Sequence, residues 1–182
     1  MPKSLMARPW LGQLVAACGY GLIYSLFHDL LLSQYSLSFG LRLAVLAVTP
    51  YKYWLALAVG ETASSAYIAV TCAETFGVMW SILRAIPMIG LVMPVVYVCR
   101  ERLRLISAKR VVNVPALVLG ALGVSIITVP FQVGLLSLAH LPANYPLPRT
   151  WIFPYFLMNY SGALTVAPLA LCLRETMPRG MV

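Results

Sequence analysis

Six polar or ionisable side chains that could take part in chemistry lie inside apolar stretches of this sequence: His28, Asp29, Arg42, Glu61, Arg84 and Asn159. An ionisable group at the centre of a lipid bilayer costs about 3 kcal/mol or more, so such residues are candidates for function wherever apolar helices carry them. Their chemistry is ion pairing and anion binding, because a guanidinium group holds a carboxylate or a phosphate through parallel hydrogen bonds. We therefore predict a ligand site.

Catalysis and metal binding have little support in the sequence. The chain contains no HExxH, no GxSxG, no phosphate-binding loop and no pair of carboxylates at helical spacing, so we predict no enzyme and no catalytic residue. His28 and His140 could face one another across a haem or a metal ion, but two histidines without a spacing motif are a weak signal. The four cysteines include no CxxC pair and fit neither a disulfide framework nor a zinc site. We predict no cofactor and no metal.

The elements that must position these residues are membrane-spanning helices. The chain is 61% hydrophobic, and its 13 Lys and Arg with 5 Asp and Glu cannot cover a soluble domain of 182 residues. Apolar runs of about twenty residues match a hydrocarbon core about 30 Å thick. We predict an all-α bundle that forms a single integral-membrane domain over residues 1–182, with six spans at about 10–34, 36–49, 53–72, 78–99, 112–139 and 151–173.

Basic residues predict the orientation of these spans. They lie at both termini, at Lys52 in the turn after the second span, and from Arg100 to Arg110 after the fourth. In a six-span chain these segments are on the same side of the membrane. Cytoplasmic connections carry such an excess, so both termini are expected in the cytoplasm. The second span reaches only about 21 Å, but without it the Arg-rich connection would share a side with Glu74. The net charge of +8 is thus explained by basic residues that orient the chain in its partner, the lipid bilayer. Nucleic-acid binding is not expected.

The predicted topology gives each polar residue a depth. Asn159 is expected near mid-depth, and Asp29 is expected to pair with Arg42 or Arg84. Five residues are expected toward the outer side, with Glu74 in the adjoining turn: His28, Asp29, Arg42, Arg84 and His140. Two interpretations stay open, namely ion pairs that only lock the bundle and an outward-facing pocket in which the two arginines bind a small anion.

Glu61 is expected to stand apart from this group. It falls in the inner half of the third span, within a stretch of small residues from Gly60 to Ser65. Small residues allow helices to approach closely, and a carboxyl group there can bond to a neighbouring helix. We predict a role in signal coupling, although proton transfer by this residue remains an alternative.

Two stretches resemble the bacterial membrane-associated sensor domain of the first MASE class. The first runs from Phe39 to Val48 and continues, after a short basic and aromatic turn, as an apolar segment from Tyr51 to Glu61. The second runs from Asn159 to Leu169, where a polar residue precedes a small, Gly-containing turn and a proline follows. The similarity extends loosely over most of the chain and is closer in these two stretches.

This resemblance implies signal reception. Domains of the class are the input domains of sensor histidine kinases and diguanylate cyclases, so it implies a two-component or cyclic di-GMP pathway. A small ligand or a membrane partner would shift the helices, and the sixth span would pass the shift to an output kinase or cyclase domain or within a homodimer. Two rival interpretations remain, the substrate-binding subunit of a vitamin-type transporter and a structural subunit of a membrane complex.

Overall fold

The computed structural model describes residues 9–30, 36–105, 112–138 and 152–176, with side chains described for all of these except 9, 27–30, 36–37 and 173–176. Its helices are α1 (Pro9–Leu30), α2 (Ser36–Val48), α3 (Trp54–Thr71), α4 (Ala73–Phe76), α5 (Val78–Arg84), α6 (Ile89–Glu101), α7 (Val114–Ser137) and α8 (Ile152–Thr176). A turn of 3-10 helix at Tyr51–Tyr53 joins α2 to α3. The described ranges contain helices with short turns, bends and irregular connections, an isolated bridge at Val112 and no strand, so the predicted all-α class is confirmed.

Three helical segments are long and apolar enough to cross a membrane: Val78–Glu101, Val114–Ser137 and Ile152–Cys172. The first two have 24 residues and the third has 21. Since a helix rises about 1.5 Å per residue, each reaches the roughly 30 Å of a hydrocarbon core. The segments Trp10–Leu26 and Ser38–Val48 are apolar but shorter. Each of the six predicted spans contains a helix, and the membrane character expected from composition is present in the three long ones.

The fourth predicted span is not one continuous helix. It divides into α5 and α6, and the backbone between Arg84 and Ile89 is not helical. Pro87 lies inside this break, where its missing N–H and its ring prevent continuation of the preceding helix. Its carbonyl oxygen accepts a hydrogen bond from the Gly90 amide at 3.2 Å, close to the start of α6. The predicted span over 78–99 thus corresponds to the apolar segment Val78–Glu101, with an interruption at Pro87.

Two helix pairs hold the bundle together through glycine contacts. In the α2–α8 pair, a Cβ atom on Gly40 would overlap the carbonyl oxygen of Gly162 and lie 2.6 Å from Val166 Cβ. In the α1–α3 pair, a Cβ atom on Gly60 would overlap the carbonyl oxygen of Ala17. These pairs share the most extensive helix contacts of the described chain. Small residues thus let the backbones approach, as expected where lipid offers no hydrophobic drive for association.

Arg100 ties α6 to the end of α2. Its Nη1 atom donates hydrogen bonds to the carbonyl oxygens of Leu46 at 2.9 Å and Thr49 at 2.7 Å. The guanidinium carbon lies 4.3 Å from the centre of the Tyr51 ring, whose hydroxyl group donates to Glu101. The last carbonyl groups of a helix have no partner within it, so Arg100 satisfies acceptors that α2 leaves open.

Replacing Arg100 with glutamine is expected to lower the free energy of unfolding by about 1.5–3 kcal/mol, since hydrogen bonds from a charged donor are lost. Chemical unfolding in detergent micelles measures the change. Arg102→Gln is the matched control, because this substitution removes the same charge from an exposed position two residues away. Equal losses in both variants would show that charge alone, and not the cap on α2, accounts for the effect.

Candidate functional site

A buried ion pair lies at the centre of the bundle. Arg42 on α2 and Glu61 on α3 are 1% and 0% exposed, and Arg42 Nη2 lies 3.0 Å from Glu61 Oε1. Arg42 Nε donates to the same carboxylate, at 3.1 Å from Oε1 and 3.2 Å from Oε2. Two nitrogens of the guanidinium thus face one carboxylate, which is the strongest arrangement available to this pair of side chains.

Glu61 also connects α3 to two further helices. Its Oε2 atom accepts a hydrogen bond from the Tyr20 hydroxyl group on α1 at 2.9 Å. Its Oε1 atom accepts from the backbone amides of Met88 at 2.9 Å and Ile89 at 3.3 Å, at the start of α6. These amides lack intrahelical partners, and a carboxylate is a favourable cap for them. One side chain therefore fixes the position at which the broken fourth segment resumes.

Tyr24 continues the network from Arg42 to Arg84. Its hydroxyl oxygen accepts from Arg42 Nη2 at 3.0 Å and from Arg84 Nη2 at 3.4 Å. The rings of Tyr24 and Phe39 lie 5.1 and 4.7 Å from the guanidinium carbon of Arg42. Contact with two aromatic faces suits a buried guanidinium group, whose Nη1 atom has no hydrogen-bond partner among the described residues. The order of contacts is Glu61, Arg42, Tyr24, Arg84.

Arg84 forms one wall of a cavity beside the break between α5 and α6. The cavity encloses about 70 Å³ and is lined by Trp80, Arg84, Ile86, Met88, Phe131, Gln132, Leu135, Leu136 and Tyr155. A water molecule needs about 10–15 Å³ of such space, so the cavity admits a small organic molecule. The lining comes from the α5–α6 region, from the end of α7 and from the start of α8.

A second polar contact lies behind the cavity wall. Asn159 on α8 is fully buried, and its Nδ2 atom donates to Gln132 Oε1 on α7 at 3.3 Å. The Oδ1 atom of Asn159 has no hydrogen-bond partner in the described part of the chain. Gln132 thus connects the cavity to α8 through a side-chain hydrogen bond. Tyr155 of α8 also lines the cavity directly.

The charges of this network do not cancel within the described residues. Arg42 and Arg84 carry two positive charges, and Glu61 carries one negative charge. The guanidinium group of Arg84 is partly buried at the cavity, and its described hydrogen-bond partner is a phenol. The arrangement can therefore attract and hold a small anion.

The structure brings together some of the predicted site residues. Arg84 lines the cavity and Asn159 bonds to a lining residue, whereas Arg42 lies behind the cavity. The side chains of His28 and Asp29 lie outside the described residues, as does His140. Glu74 is exposed on α4.

One expectation about the charged residues is wrong. Glu61 does not stand apart, because it is the ion-pair partner of Arg42. The predicted pairing of Asp29 with Arg42 or Arg84 falls on a side chain outside the described residues. Arg42 and Glu61 lie at similar distances from the short connection between α2 and α3. Arg42 lies seven residues before Thr49 and Glu61 lies eight residues after Tyr53, which puts both about 10–12 Å from the turn.

The sequence does not predict three residues that contact the candidate site residues: Tyr20, Tyr24 and Gln132. Tyr20 and Tyr24 are four residues apart, so they share one face of α1, and both are buried with hydroxyl groups directed to charged partners. This spacing is the signal that could have identified them. Within the described ranges, no group of three or more His, Cys, Asp and Glu side chains is placed to hold a metal ion.

Comparison with known proteins finds no family model, no curated protein and no solved structure that matches this chain. The cavity and the charged network are the two features of the described chain that bear on its function. Those two features share Arg84 and Met88, since Met88 lines the cavity and its amide bonds to Glu61.

Proposed function

We propose that this chain is a membrane-embedded sensory input domain of a bacterial inner membrane. In this proposal the six helical regions are six spans, and both termini are cytoplasmic. A small ligand enters the cavity beside Arg84, and helix packing changes in response. The last helix, α8, passes the change to a cytoplasmic output such as a kinase or cyclase domain, or to a second copy of the chain.

The observation that carries the proposal is the connection between the cavity and the ion pair. Arg84 contacts Tyr24, which contacts Arg42, and Glu61 holds the first amides of α6. A ligand that draws Arg84 away from Tyr24 alters the surroundings of Arg42. A ligand biases such a switch by the difference between its affinities for the two packings.

The position of α8 supports its role as the output helix. Tyr155 lines the cavity near the start of α8, and Gly162 forms the close contact with Gly40 of α2. The helix has 25 residues, so it extends about 37 Å from the cavity end toward its C-terminal end. One rigid element thus contacts the ligand cavity, the helix that carries Arg42, and the exit from the bundle.

The charge distribution supports the proposed orientation. The exposed basic residues Lys52, Arg102 and Arg104 lie near the α2–α3 turn and the end of α6. Because α7 starts beside Leu103 and Leu105, the end of α7 that lines the cavity lies at the opposite end of the bundle. Basic residues favour the cytoplasmic side, which puts the cavity in the outer half.

Native mass spectrometry of the purified protein tests ligand binding. We expect a bound small molecule in the wild type and in Arg102→Gln, and at least a tenfold lower occupancy in Arg84→Gln, because a charge-assisted hydrogen bond contributes about 1.5–3 kcal/mol. Ligand-free spectra for all three proteins, with equal thermal stability, would remove the basis for the pocket.

Hydrogen exchange distinguishes a sensor from a simple binding protein. Addition of the molecule released from the wild type is expected to change exchange at the Met88 and Ile89 amides, which Glu61 holds, and along α8. Protection confined to the cavity residues, with α8 unchanged, would favour the transporter subunit over the sensor.

A further inference from the structure

We propose that the cavity selects a small organic monocarboxylate, with its charged group on Arg84 and an apolar body between Trp80 and Phe131. The inference rests on the proposed function and specifies the ligand class of the same site. It follows from three properties of the cavity, namely its uncompensated charge, its donor groups and its apolar walls.

The uncompensated charge at Arg84 favours an anion. Arg42 and Glu61 neutralise one another, so Arg84 carries the remaining positive charge of the network that the described residues form. Its bond to the Tyr24 hydroxyl group is long, at 3.4 Å, and engages one nitrogen. A guanidinium group has five N–H donors, so within the described contacts the others remain for a carboxylate that accepts two parallel hydrogen bonds.

The second polar group in the cavity also favours an acceptor. Gln132 Oε1 already accepts a hydrogen bond from Asn159, which leaves the NH2 group of Gln132 without a partner among the side chains that the structure describes. The cavity therefore offers donors from Arg84 and Gln132 on different walls. A carboxylate, which only accepts hydrogen bonds, matches both.

The size and lining of the cavity favour a single charge and an apolar body. A monoanion neutralises Arg84, whereas a dianion such as a phosphate monoester would leave a negative charge in apolar surroundings, which is costly. Seven of the lining residues are apolar or aromatic and carry no charge: Trp80, Ile86, Met88, Phe131, Leu135, Leu136 and Tyr155. These walls suit an aromatic or branched aliphatic group.

Asp29 is the rival source of negative charge within the chain. It belongs to α1, as does Tyr24, and its side chain lies outside the described residues. The test therefore includes Asp29→Asn, which removes that carboxylate while keeping the size of the side chain.

The test compares benzoate with benzamide, a neutral molecule of the same shape. Saturation-transfer difference NMR on the protein in lipid nanodiscs measures both dissociation constants. We expect benzoate to bind the wild type at least tenfold more tightly than benzamide. Arg84→Gln weakens benzoate binding far more than benzamide binding and so removes this preference, Arg84→Lys retains part of it, and the exposed control Arg102→Gln retains all of it.

Two results would overturn the carboxylate inference and leave the cavity in place. The first is equal binding of benzoate and benzamide to the wild type. The second is a preference for benzoate that arises only in Asp29→Asn, because Asp29 would then be the counter-charge of Arg84. Failure of the proposed function has a different signature, in which neither probe binds any variant and the purified wild type carries no small molecule. Since the wild-type comparison needs no substitution, the outcome does not depend on the folding of the Arg84 variants.

Discussion

Replacing Glu61 with leucine is expected to lower the free energy of unfolding by about 3–5 kcal/mol, because the substitution leaves Arg42 as an uncompensated buried charge. Arg42 is 1% exposed, so solvent does not shield its charge. The Tyr20 hydroxyl group and the Met88 and Ile89 amides lose their acceptor in the same variant. Unfolding of the reconstituted protein in mixed micelles measures the loss.

The double variant Arg42→Leu with Glu61→Leu is the matched control. Removing both charges together leaves no unpaired ion, so we expect it to be more stable than Glu61→Leu by about 2 kcal/mol or more. Recovery is partial because the first amides of α6 remain without an acceptor. A double variant as unstable as Glu61→Leu would mean that the amides and Tyr20, and not the ion pair, account for the role of Glu61.

Replacing Gly40 with alanine is expected to cost about 1–3 kcal/mol, since the added methyl group overpacks the α2–α8 contact. The atom it meets is the carbonyl oxygen of Gly162, which is part of the backbone of α8 and cannot rotate away. The two helices must therefore separate along their whole contact. The same measurement of unfolding in micelles records the loss.

Gly134→Ala provides the comparison for this substitution. Gly134 also lies inside a helix, α7, but a Cβ atom there meets nothing within 4 Å. The gain in helix propensity is the same at both positions, so Gly134→Ala is expected to be neutral or to stabilise by about 0.4–1 kcal/mol. If both substitutions stabilise the protein equally, the α2–α8 contact is looser than the structure indicates.

The sequence predicts the helices well because apolar runs of fixed length dominate it. Each predicted span contains a helix, and Pro87 indicates a distortion in the fourth. The division of that span into α5 and α6 has a second cause, which cannot be predicted from the sequence near Pro87. Glu61, 27 residues before Met88, supplies the acceptor for the first amide of α6. Such a contact depends on packing between helices.

The sequence predicts the candidate site only in part. Arg84 and Asn159 are identifiable because polar groups are rare inside apolar runs, and the structure puts both at or behind the cavity. Tyr20 and Tyr24 are less conspicuous, since tyrosines are common at the ends of spans. Estimated depths suggest Asp29 as a partner for Arg42 or Arg84, whereas counting residues from the turn between α2 and α3 gives Glu61 as the partner of Arg42. The sensory role and the contributions of His28 and Asp29 remain predictions.

The Arg42–Glu61 pair has a consequence for the biosynthesis of the protein. Alone, α2 is a poor candidate for entry into a bilayer, since it has 13 residues and a central arginine that costs about 2.5–3.5 kcal/mol. Its compensating charge lies nineteen residues later in the chain and emerges from the ribosome after it. The two helices are therefore expected to leave the translocon together as a neutral hairpin, with α2 held back until α3 has been made.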